Sequence, residues 1–289
     1  MAGKTGGTKT RRQRAEAIMA TQARRSRRWN LAIGSAVAVI IVVIAMLVAY
    51  TLAHRHTPAA DGNIRTPVAA AVMRQVTSVP GKAFAAAVPG GDVAAPEPLS
   101  GSPLRADSKP EILYVGGEFC PYCAAERWAV VTALSRFGSF HHLSGTKSSS
   151  HDAYPDTPTF SFHGSSYSSP YITLHAYEVS DREQNPLDRL PSGEQTVYSH
   201  LSGGSIPFVD IGGRYMLRGY QFSPKVLAGM TRGQIAANLA RPGSSVAQHV
   251  LGAANLFTAA VCDADGGHPA SVCTAPGVVA AAKTLHPGQ

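Results

Sequence analysis

The chain has 289 residues and 26 Lys and Arg against 18 Asp and Glu, a formal net charge of +8. That surplus is confined to one end: residues 1–56 hold 10 of the basic residues and one acid, leaving 16 basic and 17 acidic groups, a net of −1, in the remainder. A nucleic-acid-binding function needs a basic patch on the folded part, so the charge balance excludes that class.

Residues 1–30 form a basic, low-complexity tail with nine Lys and Arg against the single acid Glu16. In the twenty residues from Leu31 to Tyr50, Ser35 interrupts an otherwise apolar run. Twenty apolar residues at helical rise cross a bilayer core, so residues 31–53 are expected to form a transmembrane helix. The positive-inside bias places the N-terminus in the cytoplasm and the C-terminal domain outside, in the extracytoplasmic compartment. The basic tail would then lie against anionic lipid headgroups. A cleaved export signal is the alternative, and Arg27-Arg28 loosely resembles a twin-arginine signal.

Residues 54–109 are rich in Ala, Pro and Gly and read as an extracytoplasmic linker. Val68 to Val88 could hold a short helix, but Pro80-Gly81 interrupts it. Ala94 to Pro103 has a polyproline bias and reads as a spacer holding the folded part away from the membrane.

Residues 110–275 are long enough for one well-buried domain. An apolar run, Ile112 to Val115, meets Gly116-Gly117, then Cys120-Pro121-Tyr122-Cys123, then a helical pattern. A strand that delivers C-x-x-C to the first turn of a helix is the layout of a redox dithiol. Free N–H groups and the helix dipole stabilise a thiolate at Cys120, and Pro121 suits the first turn. Cys123, one turn on, can attack a mixed disulfide formed by Cys120. Half a zinc site and an inert structural pair are the competing readings.

The helix carries Trp128, Val131, Leu134 and Phe137 at three- and four-residue steps and ends at Gly138. Phe140 to Lys147 reads as a weak strand and Ser148 to Pro158 as a loop. Thr159–Phe162 and Tyr171–Tyr177 alternate as strands, expected to pair through the Gly164-Ser165-Ser166 region. Ser180 to Pro191 is a charged connection, and Thr196 to Leu201 a short helix ending at Gly203-Gly204. Two short strands flank Gly212-Gly213, a hairpin signal, with Pro207 at the entrance of the first. Thr231–Ala240 and Ser244–Val261 read as helices, and residues 276–289 as a flexible Ala-rich tail.

A strand, a C-x-x-C helix and a proline-headed hairpin together predict an α/β, thioredoxin-like fold in which the Ile206–Pro207 bond is cis and lies against the cysteines. The 87 positions from Cys120 to Pro207 require an insertion, expected in Ser148–Ser180 and Asp181–Gly204. Thioredoxins carry an acid and an aromatic before the first cysteine, as Glu118-Phe119 do here, whereas Pro121-Tyr122 resembles glutaredoxins. The strand aspartate of thioredoxins has no counterpart in Leu113-Tyr114-Val115. Glu118 or Glu126 could substitute, although each reads first as a solvated surface acid.

Four strings resemble a narrower family: Glu111 through Gly138; Tyr154-Pro-Asp-Thr-Pro-Thr-Phe-Ser-Phe162; Ile206-Pro-Phe-Val-Asp-Ile-Gly212; and Cys262 through Pro-Ala-Ser-Val-Cys273. The resemblance is to domain of unknown function family 929, membrane-anchored proteins with a thioredoxin-like domain. It covers roughly residues 65–275 and implies fold and topology, not an activity.

An even cysteine count outside the cytosol predicts disulfides, Cys262–Cys273 as a structural clip and Cys120–Cys123 as the redox pair. The sharper alternative is that Cys262 and Cys273 relay electrons to Cys120 and Cys123. His141, His142, His151, His163, His175 and His268 scatter through polar stretches and read as solvated rather than copper-binding. No cofactor or metal is therefore expected. The expected function is a membrane-anchored extracytoplasmic thiol–disulfide oxidoreductase with Cys120 as nucleophile, Cys123 as resolving thiol and Pro207 beside them. Glu118, Pro121, Tyr122 and Ile206 support the site. Its partners would be protein thiols or disulfides, or an electron-transfer protein in the membrane. The alternative is a non-catalytic binding module that docks a membrane or envelope partner and keeps both cysteine pairs as structural bridges.

Overall fold

The computed structural model describes residue 46, residues 65–87 and residues 92–286; the expected tail at 1–30 and all but one residue of the expected span at 31–53 lie outside them. Residues 62–289 form one compact unit of mixed α/β structure.

Its strands are β1 (Thr66–Pro67), β2 (Glu97–Pro98), β3 (Arg105–Ala106), β4 (Lys109–Gly116), β5 (Ser139–His141), β6 (Ser144–Lys147), β7 (Pro158–Ser161), β8 (Ser166–Ser168), β9 (Thr173–Glu178), β10 (Phe208–Ile211) and β11 (Tyr215–Arg218). The helices, eight among the described residues, are α1 (Ala70–Thr77), α2 (Gly81–Ala86), α3 (Pro121–Leu134), α4 (Ser192–Ser202), α5 (Arg232–Leu239), α6 (Ser245–Asp265), α7 (Ala270–Cys273) and α8 (Pro276–Leu285).

β4 is the centre of the main sheet. β10 pairs with it antiparallel, β9 pairs with it parallel, and β11 and β2 continue beyond β10. Ile112 and Tyr114 enter the larger core, while Leu113 and Val115 join Tyr198 and Phe208 on the opposite face. Burial on both faces is why the strand reads as an unbroken apolar run. α3 is buried along its whole length after Tyr122, because two further layers close over it. Trp128 Nε1 donates to Pro158 O at 2.9 Å and Thr159 Oγ1 to Ala124 O at 2.8 Å, fastening the helix to β7, while α6 packs beside it. α3 stops at Leu134 and turns carry the chain to Gly138. Gly138 serves a close approach instead of a cap: a Cβ there would stand 2.2 Å from Ser168 O.

Several expectations are corrected. The stretch 140–147 is two strands in two separate sheets, broken at His142, whose φ is 58°. The strands at 159–162 and 171–177 do not pair with each other; β7 pairs with β6, and β9 completes the main sheet against β4. β9 and α4 are therefore integral to the main sheet and its second core, although they fall in the stretches expected as insertion.

The described residues of the stretch read as linker, from 65 onward, are part of the unit. Val72, Val76, Ala83, Phe84 and Ala87 are buried, and Asn255 on α6 donates through Nδ2 to Phe84 O (2.8 Å) and Ala87 O (3.1 Å). The supposed spacer is also held: Ala94 N donates to Gln221 O and Leu99 N to Arg214 O, and β2 adds to β11. An extended, proline-containing segment suits an edge strand, where one row of N–H groups needs no partner. Residues 276–285 are helical instead of a flexible tail, because Val278 and Ala281 bury against the core. Among the described residues α6 is long and apolar enough to cross a membrane, but 83% of its apolar window is buried inside the unit, as befits a core helix.

Cys262 and Cys273 are bonded to each other, tying the end of α6 to α7. Their sequence separation of 11 corresponds to roughly 2–3 kcal/mol of lost unfolded-state freedom. Replacing both by Ala should lower the melting temperature by several degrees in a circular-dichroism melt; an unchanged melting temperature would show that the bond does not clip the fold.

Candidate active site at the Cys120–Cys123 dithiol

β4 ends at Gly116, and the chain turns through Gly117 into α3. Cys120 is the N-cap of that helix, with φ −78° and ψ 121°, and Pro121 takes the first helical position, where no intrahelical N–H bond is lost. The Cys120 sulfur accepts a hydrogen bond from Cys123 N at 3.3 Å. Cys120 is 6% exposed and Cys123 0%. Both are free thiols, so the expected Cys120–Cys123 disulfide is not formed here and the site is described in its dithiol state.

The two sulfurs are electrostatically unlike. The Cys123 thiol and then the Cys123 backbone N–H, hydrogen-bonded to the Cys120 sulfur, lower the Cys120 pKa to about 7 against the opposing effect of burial; Arg127 and the Tyr122 N–H add to them. Burial pushes the Cys123 thiol well up, and the hydrogen bond and negative charge of Cys120 push it further, while Arg127 pulls it down. Above about pH 7 Cys120 is therefore mainly thiolate while Cys123 keeps its proton.

Arg127, one turn beyond Cys123, is fully buried. Its Nε donates to Glu178 Oε1 at 2.7 Å, and its Nη2 donates to Glu178 Oε2 and, at 2.7 Å, to Gly117 O. Burial works against the charge on Arg127, and Glu178 overrides it, raising the guanidinium pKa well above its ordinary value. Tyr114, whose buried hydroxyl makes no hydrogen bond, lies within reach of the charges of Arg127, Glu178 and both cysteines. These three residues were not singled out in the sequence. The available signal was spacing: Arg127 stands four positions after Cys123, on the same side of α3.

The two acids considered from sequence are both buried, which overturns their reading as solvated surface groups. Glu118 accepts from Ser161 Oγ, and its Oε1 lies 2.9 Å from Arg65 Nε. Glu126 accepts from Gln221 N at 3.0 Å, and burial raises its pKa to about 7.

The Ile206–Pro207 bond is cis. β10 pairs Phe208 with Val115, so the next step of the register brings Pro207 opposite Gly116. A Cβ at Gly117 would stand 3.1 Å from Ile206 Cδ1, which places the Ile206 side chain against the loop that precedes Cys120. Tyr122 stacks on Tyr220 with ring centres 4.5 Å apart and meets the edge of Tyr154 at 6.2 Å. With Tyr220 46% exposed, these rings form an aromatic rim next to the first cysteine. Tyr154 and Tyr220 had no assigned role in the sequence, since the loops that carry them hold no periodic signal. Because Cys262 and Cys273 are bonded to each other, the four cysteines do not form one metal site.

The model of a family described as a domain of unknown function, DUF929, matches residues 98–202, the span from β2 through α4. It includes both cysteines, Arg127 and Glu178, but stops short of Pro207. No curated protein and no solved structure matches the chain.

Two outcomes are expected. Alkylation of the reduced chain should occur first at Cys120, its rate rising through about pH 7. Removing the buried pair together in Arg127→Met/Glu178→Gln should move that midpoint upward, since Arg127 lowers both thiol pKa values; equal titration of the two thiols near the ordinary value of about 8.5 would refute the assignment. Glu126 binds its proton more tightly folded (pKa about 7) than unfolded (about 4.3), so its contribution to stability falls as pH rises between the two. Glu126→Gln should flatten this part of the stability–pH curve measured by urea unfolding, and an unchanged slope would contradict the assignment.

Proposed function

We propose that this chain, matched to DUF929 over residues 98–202, is a membrane-anchored extracytoplasmic thiol–disulfide oxidoreductase with a thioredoxin-like domain. The observation that carries the reading is the asymmetry of the two thiols at the start of α3: the Cys120 pKa is lowered to about 7, and the Cys123 pKa is raised by burial. The fold supports it. The order β11-β10-β4-β9, with β9 parallel to the central strand and β10 antiparallel, together with C-x-x-C directly after β4, is the arrangement expected of a thioredoxin-like domain.

In the reductive direction the Cys120 thiolate attacks one sulfur of a substrate disulfide. A Cys120–substrate bond forms, the substrate S–S bond breaks, and one substrate sulfur leaves as thiolate. Cys123 then loses its proton and attacks Cys120 Sγ, forming the Cys120–Cys123 disulfide and expelling the second substrate sulfur, which takes up a proton. The substrate gains two electrons and the dithiol loses them; oxidation of a substrate dithiol runs the same steps backward. The strand aspartate missing from β4 would serve the second step as proton acceptor. Here the buried Arg127 cation supplies another means, lowering the cost of the Cys123 thiolate. The extended backbone before β10 would hold substrate as an added strand, and the Tyr122–Tyr220 stack would cover the mixed disulfide.

The anchor at 31–53 and the extracytoplasmic placement are part of the proposal and share its test. In intact cells a membrane-impermeant maleimide should reach Cys120. Cys123→Ser should accumulate substrate proteins bound through Cys120 that dithiothreitol releases, and Cys120→Ser should accumulate none. If neither variant changes disulfide exchange and no adduct forms, the chain is a binding module and not an enzyme.

A further inference from the structure

A second group of chemistry-bearing side chains lies at the other end of β4, about five residues or ~17 Å from the dithiol end at ~3.3 Å per residue. Glu111 is buried near the start of β4, His175 is on β9 and Glu194 is in the first turn of α4. One ligand atom from each lies within 4.8 Å of the others.

His175 Nδ1 is 2.8 Å from Glu194 Oε1 and 3.3 Å from Glu111 Oε1. One Nδ1–H serves only one carboxylate well, and it is directed at Glu194. Glu111, 4% exposed, is left with Oε1 buried, aimed at the cluster and without a hydrogen bond; Glu194 Oε2 is likewise buried and unbonded. A third carboxylate adds to the crowding. Asp210, whose pKa is raised to about 6 chiefly by burial, also feels the charge of Glu111. Even with His175 protonated, the group carries more negative charge than its own cation balances, and a buried anion without a partner is costly.

We propose that Glu111, His175 and Glu194 form a binding site for one divalent transition-metal ion. One imidazole and two carboxylates from three elements leave coordination positions open for water, a donor set that suits zinc or manganese. A metal ion would satisfy both unbonded carboxylate oxygens at once, which a single proton on His175 does not. A cleft of about 300 Å³ lined by Leu104, Val197, His200, Leu201 and Asp210 opens beside α4. It follows the side of α4 on which Glu194 stands, since Val197 and Leu201 lie three and seven positions further along the helix. The site is independent of the redox reading and would stand if the dithiol proved inert.

The test is calorimetric titration of the full-length, detergent-solubilised chain with Zn2+, in a Cys120→Ser/Cys123→Ser background so that the thiols take no metal. One saturable equivalent is expected. His175→Gln and Glu194→Gln should each weaken it about tenfold or more, while the exposed Glu183→Gln leaves it unchanged. Zn2+ should raise the melting temperature of the parent and not of His175→Gln, and melting without metal confirms that each variant is folded. Glu194→Gln, on a different element from His175, keeps the comparison available should His175→Gln not fold. No saturable binding to the parent, or equal binding by parent and folded variants, would overturn the proposal and leave the cluster as an internal ion pair.

Discussion

The buried ion pair between Arg127 and Glu178 is the interaction on which the site depends. Removing two charges from water costs several kcal/mol per ion, and the cost is recovered only where geometry and further hydrogen bonds are good. Here the guanidinium meets the carboxylate as a two-pronged fork and also holds Gly117 O, while Glu178 Oε1 accepts from Phe162 N at 3.3 Å. α3, β9, the segment after β7 and the loop before Cys120 are therefore fixed to one another by a single pair of side chains. The same cation acts on both sulfurs. Breaking the pair by deleting one partner would strand a charge at about 3–5 kcal/mol, so neither residue can be changed alone to tune the thiols without loosening the sheet.

β4 organises the rest. Alternation along one strand sends Ile112 and Tyr114 to the large core and Leu113 and Val115 to the smaller one. Each face then has its own helical cover, α3 and α6 on one side and α4 on the other. The two ends of the strand also differ in chemistry. One delivers the chain to a helix N-terminus, where thiolate is favoured; the other begins with Glu111, beside His175 and Glu194. The rigid, doubly covered strand keeps these chemistries apart.

What could be read from sequence was what is local. The strand, C-x-x-C and helix are contiguous, so spacing alone located Cys120, Pro121, Tyr122 and Cys123. The hairpin was legible because Gly212 and Gly213 both take positive φ, 65° and 68°, which few other residues do cheaply. Burial of charge was not legible. Glu118, Glu126 and Arg127 look like the polar side of a helix and its entry loop, and only partners more than forty positions away, or at the other end of the chain, enclose them. The carboxylate partners of His163 and His175 were not legible for the same reason, since Asp188 and Glu194 lie on other segments. The N-terminal stretch 65–106 misled by composition: Ala, Pro and Gly signal a linker, yet small residues also let α1 lie close on α5, and α2 on α6 and α8.

The interleaving of the sheet separates the span recognised by family from the unit that folds. A fragment cut to residues 98–202 would keep β4, α3 and β9 but lose β10, leaving one flank of the central strand with unpaired N–H and C=O groups, a template for strand-to-strand association. It would also lose α6, uncovering the apolar side of α3. A fragment begun at Pro110 fails at the opposite end, since Asn255 Nδ2 would be stripped of Phe84 O and Ala87 O inside the core. The smallest autonomous piece therefore reaches from before α1 to the end of α8, and the Ala-rich ends that look dispensable in sequence set its limits.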